Sequence, residues 1–76
     1  MDPVVGVVEL YGIGTRYDMP VAGGGGRLSV VARRDGQREL YVFADAGEEP
    51  TAVVPLSDEQ SRLLAAVLAG TYFHTR

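Results

Sequence analysis

The sequence predicts an α+β fold: a small antiparallel β-sheet, open or barrel-like, followed by one carboxy-terminal helix. Three observations carry this. Two β-rich runs within Arg27 to Ala44 flank the turn dipeptide Asp35-Gly36. Further β-branched, apolar runs stand before and after that hairpin, separated by glycine and proline. The stretch SDEQSRLLAAVLAG then opens as a helix start and ends on Gly70.

The first strand is VVGVVEL, Val4 to Leu10, with Gly6 marking a bulge or a close backbone approach. Gly12 and Gly14 bracket Ile13 and shape a tight turn, after which a short strand runs from Arg16 to Met19 before Pro20. Gly23 to Gly26 form a flexible connection with no side chains to bury.

In the hairpin RLSVVARRDGQRELYVFA, a two-residue type I′ turn at Asp35-Gly36 sets Val31 opposite Leu40, Val30 opposite Tyr41 and Leu28 opposite Phe43. One face then holds Leu28, Val30, Tyr41 and Phe43; the other holds Ser29, Val31, Leu40 and Val42. Arg33 opposite Arg38 is an unfavourable like-charge pair in that register, and a slip by one residue exchanges the faces. An acidic loop, Ala44 to Pro50, leads to a last short strand, Thr51 to Leu56, in which Pro55 belongs at an edge.

The helix spans Ser57 to Gly70. Ser57 with Gln60 makes a capping box, and Asp58 and Glu59 place negative charge in the first turn, where the helix dipole favours it. Gly70 supplies the left-handed residue that stops it. From Leu63 to Ala69 no side chain is polar. Leu63, Leu64, Val67 and Leu68 form a stripe at helical spacing, and Ala65, Ala66 and Ala69 fill the remainder. One sheet covers one side of a helix. The plain reading wraps the rest in loops and leaves alanine to water. The functional reading puts a second body there, with Leu63, Leu64, Ala66, Val67, Leu68, Tyr72 and Phe73 as interface candidates.

With 76 residues the chain is one domain, residues 1–76. A domain this short buries only about 60% of the surface its unfolded chain exposes, so a second copy or partner is a recurrent remedy. Hydrophobic residues at 46% and charged residues at 22% fit a folded protein. The absence of cysteine removes disulfides, thiolate catalysis and cysteine zinc sites, and fits a reducing cytoplasm. A net charge of −3 argues against non-specific nucleic-acid binding. The apolar run Leu63–Ala69 is far shorter than the ~20 residues that span a bilayer, so no direct membrane insertion is expected.

Candidate chemistry is sparse. Gly12-x-Gly14 lacks a third glycine, since Tyr17 stands there, and precedes a strand rather than a helix, so a shaped turn explains it better than a dinucleotide site. Asp45, Glu48 and Glu49 match no EF-hand spacing and read as a solvated turn, or as rim contacts for a basic partner. His74 is the sole histidine and has no companion ligand. No nucleophile, base and electrophile converge by spacing, so no catalytic residue, metal site or cofactor is expected. A second class of function, a small β-barrel binding nucleic acid or a nucleotide, would use Tyr41 and Phe43 to stack bases.

ELYGIGTRYDM, RRDGQRELYVF and EEPTAVVPLSDEQSRLLAAVLAG, in that order, resemble the amino-terminal domain of the soluble regulatory subunit of bacterial potassium (cation)/proton antiporters. That family's pattern is an L-P-G-I-G turn, a D-G-R-R-E-L-Y hairpin and an L-S-D-E-E-A-R helix start. The resemblance covers Glu9 to Gly70, and Tyr11 takes the place of the family's proline. It implies a cytoplasmic, non-enzymatic regulatory domain, peripheral at the inner membrane through an integral-membrane cation/proton antiporter, and acting as a homodimer. A ligand-sensing domain of the RCK/TrkA-C type, responsive to a small ligand such as a cyclic dinucleotide, follows in that family and is absent from this chain. What carries over is the Gly12-Ile13-Gly14 turn, the Asp35-Gly36 hairpin and the Ser57–Gly70 helix with Gln60 in its cap.

Overall fold

The structure, a computed structural model, describes residues 5–21, 23 and 25–72. Five strands follow one another in space as they do in sequence: β1 (Gly6–Leu10), β2 (Gly14–Pro20), β3 (Arg27–Arg33), β4 (Arg38–Phe43) and β5 (Ala52–Leu56). Every neighbouring pair is antiparallel, because each connection is a short return loop. One helix, α1 (Asp58–Leu68), completes the α+β fold. The sheet is an open meander rather than a barrel, with β1 and β5 as its edges.

The hairpin register differs from the one expected of a two-residue turn. Val30 pairs with Leu40, Ser29 with Tyr41, Leu28 with Val42 and Arg27 with Phe43, one residue away from the type I′ alignment. The loop holds three residues: the Gly36 N–H reaches the Arg33 carbonyl at 3.1 Å, and the Arg33 N–H reaches the Gln37 carbonyl at 2.9 Å. Gly36 has φ +91, the left-handed residue that closes a turn of this length. Asp35 holds the Gln37 N–H at 2.9 Å through Oδ1 and Arg33 Nε at 3.3 Å through Oδ2. Arg33 therefore no longer faces Arg38, which pairs instead with Ala32, and the like-charge contact disappears. The faces are re-sorted as a consequence. Leu28, Val30, Leu40 and Val42 share one side; Ser29, Val31, Tyr41 and Phe43 share the other.

At the first turn the Ile13 N–H donates to the Leu10 carbonyl at 2.9 Å, and Gly12 has φ +79, the sign a type II turn needs at its third residue. β2 begins earlier than the sequence suggests, at Gly14. There the backbones of β2 and β3 come so close that a Cβ on Gly14 would lie 2.0 Å from the Ala32 carbonyl oxygen.

Ser57 alone separates β5 from α1, which forces the helix to start beside the edge strand. Its hydroxyl accepts the Gln60 N–H at 3.0 Å, and the Gln60 side chain accepts the Ser57 N–H at 2.9 Å. At the far end the N–H groups of Gly70 and Thr71 return to Val67 and Ala66, with Gly70 at φ +73, a Schellman closure. No helix among the described residues is long and apolar enough to cross a membrane.

Candidate functional site

The two faces of the sheet are finished differently. On the face away from α1, Val31, Phe43 and Ser29 are the buried side chains. Among the described residues no second layer lies over them. They are roofed by long polar side chains from their own and neighbouring strands, whose stems shield apolar surface while the heads reach water. The Arg27 guanidinium lies 3.8 Å above the centre of the Phe43 ring and donates to the Gly47 carbonyl at 3.2 Å, which ties the acidic loop down. Asp18 accepts from the Ser29 hydroxyl and from Arg16 Nε at 3.1 Å, so the buried Ser29 oxygen is satisfied. Tyr41 donates to Glu39 at 3.0 Å, and that bond holds the phenol above its ordinary value of 10.0, because ionisation would set two negative oxygens together. The Gln37 N–H, chiefly, lowers the Asp35 carboxyl from its ordinary value of 3.8, since it stabilises the ionised form.

Both aromatic rings proposed as base-stacking platforms lie on this polar side. Phe43 is buried under Arg27, which occupies the ring face a base would stack on, and the Tyr41 hydroxyl is engaged by Glu39. In the acidic loop, Asp45 accepts the Gly47 N–H at 2.8 Å and shapes the backbone locally. Among the described residues no three acidic or histidine side chains gather as metal ligands would.

The helix face is apolar and open. Alternation along the strands brings Met19, Leu28, Val30, Leu40 and Leu56 to this side. Leu64, Ala65 and Leu68 of α1 stand across from them, and between sheet and helix runs a groove of about 300 Å³. The helix approaches the sheet backbone at β5. None of its residues is buried. Leu63 (49%), Val67 (56%) and Leu68 (77%) keep much of their surface in water, Leu64 sits at the margin, and Ala66 is half-buried. Tyr72, beyond the helix, is half exposed; Phe73 and His74 lie outside the described residues. Of the turn residues, Gly12 and Ile13 stand exposed at the end of the sheet and Gly14 is buried within it.

Periodicity alone identifies the apolar helix. The polar roof over Val31 and Phe43 could not be read that way, since it depends on the hairpin register, and the three-residue loop was the missed signal.

The model of the family described as K(+)/H(+) antiporter subunit KhtT, N-terminal domain, matches residues 4–72. A protein of Bacillus subtilis (strain 168) described as uncharacterized protein YrvC is 36% identical over 63 residues, which are 82% of this chain and 38% of that relative. The chain thus spans well under half the length of this curated relative. Matched over nearly its whole length, the chain belongs to the family of K(+)/H(+) antiporter subunit KhtT amino-terminal domains.

Proposed function

We propose that the chain is a non-enzymatic regulatory domain of a K⁺/H⁺ antiporter subunit, working in the cytoplasm through self-association and through docking to the integral-membrane antiporter. The observation that carries this reading is the family match over residues 4–72.

Two features support it. Leu63, Val67 and Leu68 present apolar side chains to water on a domain too small to waste them. The net charge of −3, with Asp45, Glu48 and Glu49 on an exposed loop, complements the Lys- and Arg-rich cytoplasmic loops that membrane proteins carry. Regulation then is coupling: whatever changes how the domain sits on the transporter shifts the transporter between its conducting and resting states.

The test is co-expression of the chain with a cation/proton antiporter, followed by affinity purification at low and high salt, and cation-dependent proton flux in inverted vesicles with and without added chain. Retention that weakens with salt, together with an altered flux, is expected. A chain that neither co-purifies nor changes flux removes the reading.

A further inference from the structure

The sheet guards one of its edges and not the other. In β5, Pro55 has no N–H to donate, and α1 folds back against that strand. β1 has no such cover. Its sequence, GVVEL, holds no proline, lysine or arginine, and among the described residues β2 is the only strand paired with it. Val7 is 62% exposed, and Val5 and Val8 beside it also reach water. We propose that β1 is a docking edge, to which an extended, lysine- or arginine-bearing cytoplasmic segment of the cation/proton antiporter adds as a further strand. The inference rests on the antiporter reading, and it names where that partner binds and in what form.

The backbone supplies the attraction. An edge strand bonds its inner neighbour through alternate residues, and the N–H and C=O groups of the residues between them point outward. Along Gly6–Leu10 the outward groups have no backbone partner among the described residues. An added strand of matching length makes roughly four to six main-chain hydrogen bonds there. Proteins blunt such an edge with charge, proline or a bulge when nothing is meant to join it. Here the register from Gly6 opposite Asp18 to Leu10 opposite Gly14 runs without a bulge.

Side chains supply the selection. Alternation gives the incoming strand two sets of neighbours: Val7 and Glu9 on the helix side of the sheet, and Gly6, Val8 and Leu10 on the other. Glu9 accepts from the Thr15 hydroxyl at 3.4 Å and meets no arginine among the described residues. A lysine or arginine beside it completes a cross-strand pair of opposite charge. Val7 and Val8 favour β-branched or aromatic neighbours. Gly6 has no side chain, and the Asp18 Cβ lies 3.8 Å from where its own Cβ would stand, so a large ring from the added strand can lie across it.

Charge selects a basic segment over a second copy of this chain. Two antiparallel β1 strands paired about Val8 set each Glu9 beside the other chain's Val7. Both carboxylates then stay without a cation, and two chains of net charge −3 are drawn together. A basic segment relieves both. Cytoplasmic loops of membrane proteins carry an excess of Lys and Arg, which is the chemistry this edge accepts.

The experiment co-expresses the chain with the antiporter, purifies the complex, and compares backbone hydrogen exchange in the complex and in the free chain. Amides of β1 should exchange at least about tenfold more slowly in the complex, while those of β5 keep their free rate. Glu9→Lys and Val7→Lys, both at exposed positions, should each weaken retention by about tenfold while circular dichroism stays native. Glu59→Lys, the same charge change on α1, should leave retention within about twofold. Wild-type chain that is retained while β1 exchanges at its free rate overturns the proposal and leaves the antiporter reading standing. Glu59→Lys weakening retention as much as Glu9→Lys does the same. Slower β1 exchange in the chain alone as its concentration rises assigns the edge to a second copy and also overturns it. A chain that fails to co-purify removes the antiporter reading and this proposal with it.

Discussion

Val30 stands directly opposite Leu40 across the central hairpin. That pairing places both side chains over the helix groove and sends Tyr41 to the far side with Ser29. It depends on Gly36, whose φ of +91 closes a three-residue loop. Gly36→Ala is expected to cost about 1 kcal/mol in urea denaturation, through left-handed strain alone, because open space surrounds the site. An unchanged midpoint would mean that the loop is not formed this way.

The first turn offers two opposite outcomes. Gly14→Ala drives a methyl to 2.0 Å from the Ala32 carbonyl oxygen, against backbone that cannot yield. A loss of about 3 kcal/mol or more is expected, seen as a chain unfolded or marginal by thermal circular dichroism. Tyr11→Pro should instead stabilise by roughly 0.5–1 kcal/mol. Tyr11 is 98% exposed and holds the second position of the turn, where proline is preformed, and Leu10 before it is already extended. A destabilised Tyr11→Pro would show that this position departs from type II geometry.

The helix is held at its start by the Ser57–Gln60 exchange. Ser57→Ala is expected to lower stability by about 1 kcal/mol, because the Gln60 N–H loses its hydroxyl acceptor while little tertiary contact compensates. Amide hydrogen exchange should show faster exchange in the first turn of α1 than in β3. Uniform acceleration across the sheet would contradict a local cap.

Tyr41 and Asp35 set opposite pH limits. Tyr41 is raised in the fold, chiefly by its hydrogen bond to Glu39. The folded state therefore keeps a proton that the unfolded state releases. That contribution is whole below the ordinary tyrosine value of 10.0 and is lost as pH climbs through the higher folded value. Asp35 is lowered, chiefly by the Gln37 N–H. Its contribution is present above the unfolded carboxyl value of 3.8 and is lost as pH falls through the lower folded value. The difference between wild-type and Tyr41→Phe ultraviolet titrations should have its midpoint above 10.0; a midpoint at or below that value removes the Glu39 bond.

By itself the sequence determined the elements: strands at β-branched runs, turns at Gly12-Ile13-Gly14 and Asp35-Gly36, and a helix bracketed by Ser57 and Gly70. Each of these is a short-range matter of propensity, capping or glycine sign, and neighbouring residues suffice to specify it. The tertiary structure decided the rest. A single extra loop residue moved every β4 side chain to the opposite face relative to β3, so it chose which apolar set would be roofed by Arg16 and Arg27 and which would lie open beside α1. Side chains alternate with period two along a strand, so one residue of register reverses every facing at once, and only paired strands can select between the two arrangements.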